Sequence, residues 1–231
     1  MNTDKMEGII LKATEFKESS KILHVLTIEG KKSVLVKGAK KINNKYRYMA
    51  YPLNYISYIS SQAKLPVFVD GDVLNDYKYL KDDLTANLYA NNIIELAYLI
   101  SDSDIDFAKL YPFTLKCLDQ INKGKNPETI SFIFELKILY LMGVGPSFRE
   151  CVHCGKKEMY GFSFSDGGVL CKECACGRYS HLEEISQLYY LDIMKDNLPL
   201  LDNEVRKEIR SFIDEYYHVH LGIKTKSHMF F

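Results

Sequence analysis

Apolar and polar positions alternate along the first third of the chain, and from about residue 82 the period lengthens to three and four. Apolar or alternating runs rich in Ile, Val and Tyr occupy residues 9–11, 22–28, 33–36, 51–59 and 65–74, which predicts short strands. Glu29-Gly30-Lys31 separates the second run from the third as a hairpin turn does. Asp70-Gly71-Asp72 reads as a turn near the end of the fifth. About five short strands in so short a stretch suit a small closed barrel better than a flat sheet, whose edges need protection.

The longer period predicts helices. Asp82-Asp83 can cap a first one, marked by Leu84, Leu88, Ile93, Leu96, Ala97 and Ile100. A second is expected over residues 107–122, with Leu110, Leu115, Leu118 and Ile121 facing inward. The third has the clearest start, Asn126 as cap and Pro127 at the first helical position. It carries Ile130, Phe134, Ile138 and Leu141 to a stop at Gly143-Val144-Gly145-Pro146. Residues 183–194 follow with acids in the first turn, and Asp202 caps a last helix bearing Val205, Ile209, Phe212, Ile213 and Tyr216.

Between the third helix and the fourth lie Cys151-Val-His-Cys154 and Cys171-Lys-Glu-Cys174, two Cys-x-x-Cys knuckles flanking a sixteen-residue spacer. Each knuckle puts two sulfurs on one tight turn, and a hairpin in the spacer can bring the pairs together, the spacing of a four-thiolate zinc site. Redox pairs normally stand alone at a helix start, and disulfides are rare in a reducing cytosol. One structural zinc per chain, held by Cys151, Cys154, Cys171 and Cys174, is the expectation. Four cysteines fill the shell and leave no open position for catalysis. His153 reads as a bystander to the ligands, Cys176 as a spare thiol and Cys117 as a buried apolar residue.

Composition changes the picture little: 47% of residues are apolar and 26% charged, as in ordinary globular chains. The charged start and the lack of an apolar run long enough to span a bilayer predict a cytoplasmic protein without membrane contact. Charge changes it more. The formal net charge is zero, yet residues 1–80 carry +5, residues 81–150 carry −3 and residues 151–231 carry −2. Residues 30–69 hold eight basic side chains and no acid. Lys31, Lys32, Lys37, Lys40, Lys41, Lys45 and Arg47 form the cluster, and Tyr46, Tyr48, Tyr51, Tyr55 and Tyr58 begin where it ends. Cations neutralise phosphates and tyrosine faces stack on unpaired bases. A solvated loop beside half-buried strand tyrosines is the plainer alternative. No P-loop and no His-Glu-x-x-His occurs, so the sequence offers no local catalytic motif and no small-molecule substrate.

The order of these parts resembles the RecO family of bacterial recombination mediators. The likeness runs through Glu7-Gly8-Ile9-Ile10-Leu11-Lys12, Glu18-Ser19-Ser20-Lys21-Ile22 and Lys37-Gly38-Ala39-Lys40-Lys41. It continues in Phe134 to Gly143, Pro146, the four cysteines with Gly167-Gly168-Val169-Leu170, and His220-Leu221-Gly222 to Lys226-Ser227. After Lys41 the chain departs from the family's basic-and-serine continuation, with Ile42-Asn43-Asn44-Lys45 in its place.

The resemblance implies an α+β multidomain chain: an N-terminal OB-fold over residues 1–80, then a helical domain over 81–231 with the zinc module inserted at about 148–179. It implies a nucleoid-associated, non-enzymatic role in DNA repair, binding single- and double-stranded DNA and annealing strands. Its partners would be RecR, the C-terminal tail of single-strand-binding protein and, indirectly, RecA. Lys37, Lys40 and Lys41 fall on the basic motif of the family's DNA face. The partner pocket carries no short motif, so no residue is assigned to it. An RNA-binding or ribosome-associated adaptor is the alternative, because phosphate contacts alone do not distinguish the nucleic acids.

Overall fold

Strand β1 (Thr3–Phe16) is the spine of the first part of the chain, because two partners share its length. Its second half pairs antiparallel with β2 (Ser20–Thr27), and its first half with β4 (Tyr55–Ser61). With β3 (Gly30–Val36) and β5 (Phe68–Asn75) they form a sheet of order β3-β2-β1-β4-β5. The computed structural model describes residues 3–195 and 197–223. Lys226 and Ser227, the end of the resemblance, lie outside the described residues. The chain divides into two compact units, Met1–Gly124 and Lys125–Phe231.

The hydrophobic pattern finds all five strands but misplaces several ends. β1 extends far beyond residues 9–11, because only Gly8 to Leu11 are buried and its flanks carry polar residues outward. β4 starts at Tyr55, after turns around Pro52 and Leu53. The expected turn at Asp70-Gly71-Asp72 is instead inside β5, where Gly71 pairs with Tyr58. A Cβ on Gly71 would lie 2.4 Å from the Ser57 carbonyl oxygen, so here the glycine serves a close approach between strands rather than a turn.

The expected closed barrel is met only in part. The end strands meet through one parallel bridge, Leu35 with Val67, where the Leu35 N–H donates to the Pro66 carbonyl at 2.8 Å. Pro66 has no N–H with which to extend the ladder toward Ser33, and the sheet stays open along this seam. The core inside its curve contains Ile10, Leu23, Val25, Val34, Ile56, Tyr58 and Phe68.

Three helices complete this unit: α1 (Lys78–Asp82), α2 (Leu84–Ile100) and α3 (Phe107–Asn122). Asp83 caps α2 as expected, its carboxylate accepting the Ala86 N–H. Leu84, which opens the expected helical period, is 86% exposed, and the buried stripe begins at Ala86.

In the second unit α4 (Pro127–Leu141) starts at its Asn126 cap, whose side chain accepts the Thr129 N–H. It is buried on nearly every side. Even Glu135 is buried, held by the Arg210 guanidinium at 2.6 and 3.1 Å. The hairpin β6 (Gly161–Ser163) and β7 (Gly168–Leu170) follows, then α5 (Leu182–Tyr190) and α6 (Asn203–His220). α5 ends at Tyr190 because Leu191 is extended, and Ile193 is buried from non-helical chain. No helix among the described residues is long and apolar enough to cross a membrane.

Candidate metal centre and nucleic-acid interface

The hairpin β6–β7 is what brings the two cysteine knuckles together. Cys151 and Cys154 precede it, and Cys171 and Cys174 follow at once. In the first knuckle the Gly155 N–H closes back on the Cys151 carbonyl at 2.8 Å, and in the second the Cys174 N–H reaches the Cys171 carbonyl at 3.1 Å. The Val152 N–H donates to the Val169 carbonyl and fastens the first knuckle to β7. A Cβ on Gly161 would come within 2.6 Å of the Ala175 Cβ, so a glycine there lets the second knuckle fold down on the hairpin.

All four sulfurs lie within 4.8 Å of one another, and Cys154 Sγ and Cys171 Sγ are 3.6 Å apart. A disulfide needs about 2.05 Å. A tetrahedral metal with arms of about 2.3 Å needs sulfurs about 3.8 Å apart, so the donor set fits a metal ion and not a bridge. Burial pushes the Cys151 thiol up, but backbone N–H groups of Cys171, His153 and Cys154 outweigh it and bring it down to about 6. Hydrogen bonding to the Cys171 and Cys154 sulfurs, with burial, pushes Cys174 up to about 12. Such crowding resists four thiolates unless a cation sits among them.

His153 turns away from the sulfurs, its Nε2 lying 3.1 Å from the Asp166 carboxylate. Cys176 is exposed and outside the set, and Cys117 is fully buried in α3. The module continues into an aromatic cluster that its motif does not announce. Phe162 and Phe164 on one side meet Phe212 and Tyr216 of α6, with Phe162 and Phe212 4.8 Å apart. His220 stacks on Tyr216 at 4.3 Å and places its Nε2 2.7 Å from the Phe164 carbonyl oxygen.

The basic cluster is assembled differently. Its local sequence holds no acid, yet folding brings acids to much of it. Lys31 reaches Asp102 at 2.7 Å and is largely buried against the Tyr98 ring. Lys32 meets Glu29, Lys40 meets Glu15 at 2.8 Å, and Lys45 meets Asp70 at 3.5 Å. Accordingly a hydrogen bond from Lys40 holds the Glu15 carboxyl below its ordinary value. Bonds from the Tyr46 hydroxyl and the Gly71 N–H do the same for Asp70. None of the ion pairs among the described residues takes in Lys37, Lys41 or Arg47, and all three are exposed.

These three cations stand on the loop between β3 and β4, and the loop is held at several points. Ala39, Met49 and Ala50 are buried in the sheet's core. The Lys40 N–H donates to Ser19, and the Lys21 ammonium to the Ala50 carbonyl at 3.1 Å. Asn44 donates to the Lys37 carbonyl at 3.0 Å and accepts the Tyr46 N–H at 2.8 Å. Its amide fixes the turn that carries the charges.

The tyrosines separate by exposure. Tyr58 is core, and Tyr55 is engaged with Glu7 and Tyr111. Tyr46 packs edge-on against Phe68. Tyr48 and Tyr51 are 64% and 44% exposed and remain accessible to a ligand. The Lys21 ammonium lies 4.2 Å from the Tyr51 ring centre, a neighbour that its position in the sequence does not signal.

Comparison with known proteins places the chain. Residues 1–77 match the family "Recombination protein O N terminal", and residues 81–229 match "Recombination protein O C terminal". A protein of Bacillus pumilus named DNA repair protein RecO is 31% identical over 98% of this chain and 92% of its own length. The proteins of that name from Bacillus subtilis and Listeria monocytogenes are 30% and 29% identical, each over 98% of this chain and 92% and 93% of their own lengths. With both halves matched in order and the relatives covered nearly end to end, the chain belongs to the RecO family.

Proposed function

We propose that this chain is a non-enzymatic DNA-binding recombination mediator in DNA repair. The observation that carries the reading is the set of unpaired, exposed cations Lys37, Lys41 and Arg47 on an anchored loop beside exposed tyrosines, in a chain of the RecO family. Annealing two strands breaks no covalent bond. It requires that their mutual repulsion be neutralised and that both be held close, which a cationic surface supplies. Lys31, Lys32, Lys40 and Lys45, each ion-paired within the chain, and Tyr46 and Tyr48 complete the proposed DNA-binding set.

On this reading residues 1–80 act as the OB-fold nucleic-acid domain and residues 81–231 as the partner-binding body, with the cysteine module at about 148–179. The ion is zinc, structural, one per chain, because four thiolates at tetrahedral spacing suit it. RecR and the tail of single-strand-binding protein are the proposed partners. RecA loading on coated single strands follows through them, in the cytoplasm at the nucleoid.

Anisotropy titrations with a single-stranded oligonucleotide across a range of salt test the reading. Affinity should fall with a log–log slope of about −0.7 per neutralised phosphate. Replacing Lys37, Lys41 and Arg47 together by Gln should flatten that slope by about 2. Wild-type affinity indifferent to salt rejects the proposal, and tighter binding of the matched RNA strand favours the adaptor reading instead.

A further inference from the structure

Beside the basic loop lies a cavity of about 350 Å³ whose walls come from two separate parts of the first unit. The loop contributes Tyr48, Tyr51 and Leu53, and the helices contribute Lys81 from α1 with Asn87 and Asn91 from α2. Its volume is near the lower end of the roughly 300–1,000 Å³ of small-ligand sites, room for one ring system rather than a folded partner.

The walls are built to stay in place. Leu53 holds φ at 69°, a costly conformation for a branched side chain. It is kept there by its N–H bond to the Ile10 carbonyl at 3.0 Å and by burial of its side chain. The Asn87 amide donates to the Leu80 carbonyl at 2.9 Å, and the Asn91 amide donates to the Asn87 carbonyl at 2.8 Å. The Asn91 amide also donates to the Asn87 side-chain oxygen at 2.9 Å, so both amide groups are oriented. Lys81 gives one N–H to the Asn54 side chain, and an ammonium has three, so donors remain. Lys81 is exposed, and partial desolvation lowers its pKa.

Two exposed tyrosine rings, the apolar Pro52 and Leu53, and lysine and amide groups that donate and accept line one cavity, a set that suits a flat, polar-edged ring. We infer that this cavity receives one unpaired nucleobase of the strand whose phosphates the neighbouring Lys41 and Arg47 hold. Tyr51 already carries the Lys21 ammonium on its ring, so its remaining surface is what a base can meet. Arg47 adjoins Tyr48 in the chain, so a phosphate contact and a base contact fall within reach of one nucleotide. A paired base is held in its stack and cannot enter, which makes the site selective for single strands. The inference rests on the nucleic-acid reading above and adds the base-binding role of α1 and α2.

The test uses the full chain and two strands of equal length, an oligothymidylate and the same phosphodiester backbone without bases. Wild type should favour the strand with bases by at least about fivefold. Tyr48→Ala and, separately, Asn91→Ala should reduce that ratio severalfold while the salt slope stays unchanged, and Tyr48→Phe should keep it. Tyr48 is largely exposed, so its variant reports even if the Asn91 variant fails to fold. Equal, salt-dependent binding of the two strands by wild type, or a ratio untouched by Tyr48→Ala, overturns the cavity's role and leaves the basic loop standing. No binding of either strand overturns both.

Discussion

At the cysteine module four side chains close on a single point, whereas on the basic loop the unpaired side chains point outward from an anchored backbone. The first arrangement gives its polar groups to the fold. The second satisfies its backbone and several of its charges internally and leaves Lys37, Lys41 and Arg47 for something outside the chain. A concentration of polar residues is therefore not by itself a sign of function. What distinguishes the two is whether the groups find partners once the chain has folded.

The comparison breaks most sharply if the metal is dispensable. Elemental analysis should find about one zinc per chain, and Cys171→Ser should cost more than about 4 kcal/mol of the second unit's stability. A metal-free protein that unfolds at the same denaturant concentration would put the module on the same footing as the loop. The next largest contrast concerns charge. Arg210→Met removes the counter-charge of the fully buried Glu135 carboxylate, leaving it the Ser131 hydroxyl, and should cost about 3–5 kcal/mol. Lys41→Met, on an exposed side chain, should stay within about 0.5 kcal/mol in the same urea titration. Similar costs for the two would erase the distinction.

The smallest effect should come from His24, between the sheet's two conditions. Burial, then the charges of Lys31 and Lys12, hold its pKa below the ordinary 6.5. The unfolded chain then takes up its proton first as pH falls, so the first unit should lose stability from about pH 6.5 downward through the folded value. Melting temperatures followed from neutral pH to about pH 5 should fall more steeply for wild type than for His24→Gln. Parallel curves would show the ring to be solvated.

The two regions also differ in how far their residues reveal them. The knuckles are local objects: spacing alone brings four sulfurs together, because a short hairpin is enough to close the gap. Helix starts at Asp83, Asn126 and Asp202 were legible for the same reason, since a cap acts on the next turn. The charge state of the loop was not legible, because Glu15, Asp70 and Asp102 come from distant strands and a helix end. The open seam beside Leu35 depends on how two ends of one sheet meet, and Gly71 looked like a turn because its crowding comes from a neighbouring strand. The aromatic cluster joining the hairpin to α6 hid inside two ordinary apolar patterns.

Ala39 and Ala50 have no exposed surface and sit at opposite ends of the turn sequence between them. Both are packed in the sheet's core, and each fixes where the chain must re-enter it. Of the positions they bracket, Lys41, Ile42, Asn43, Lys45, Arg47 and Tyr48 are exposed. Substitutions there can retune charge with little folding cost, while insertions or deletions must disturb the core. The charge of the loop can thus change residue by residue with little effect on the fold, whereas a change in its length must be taken up by the core.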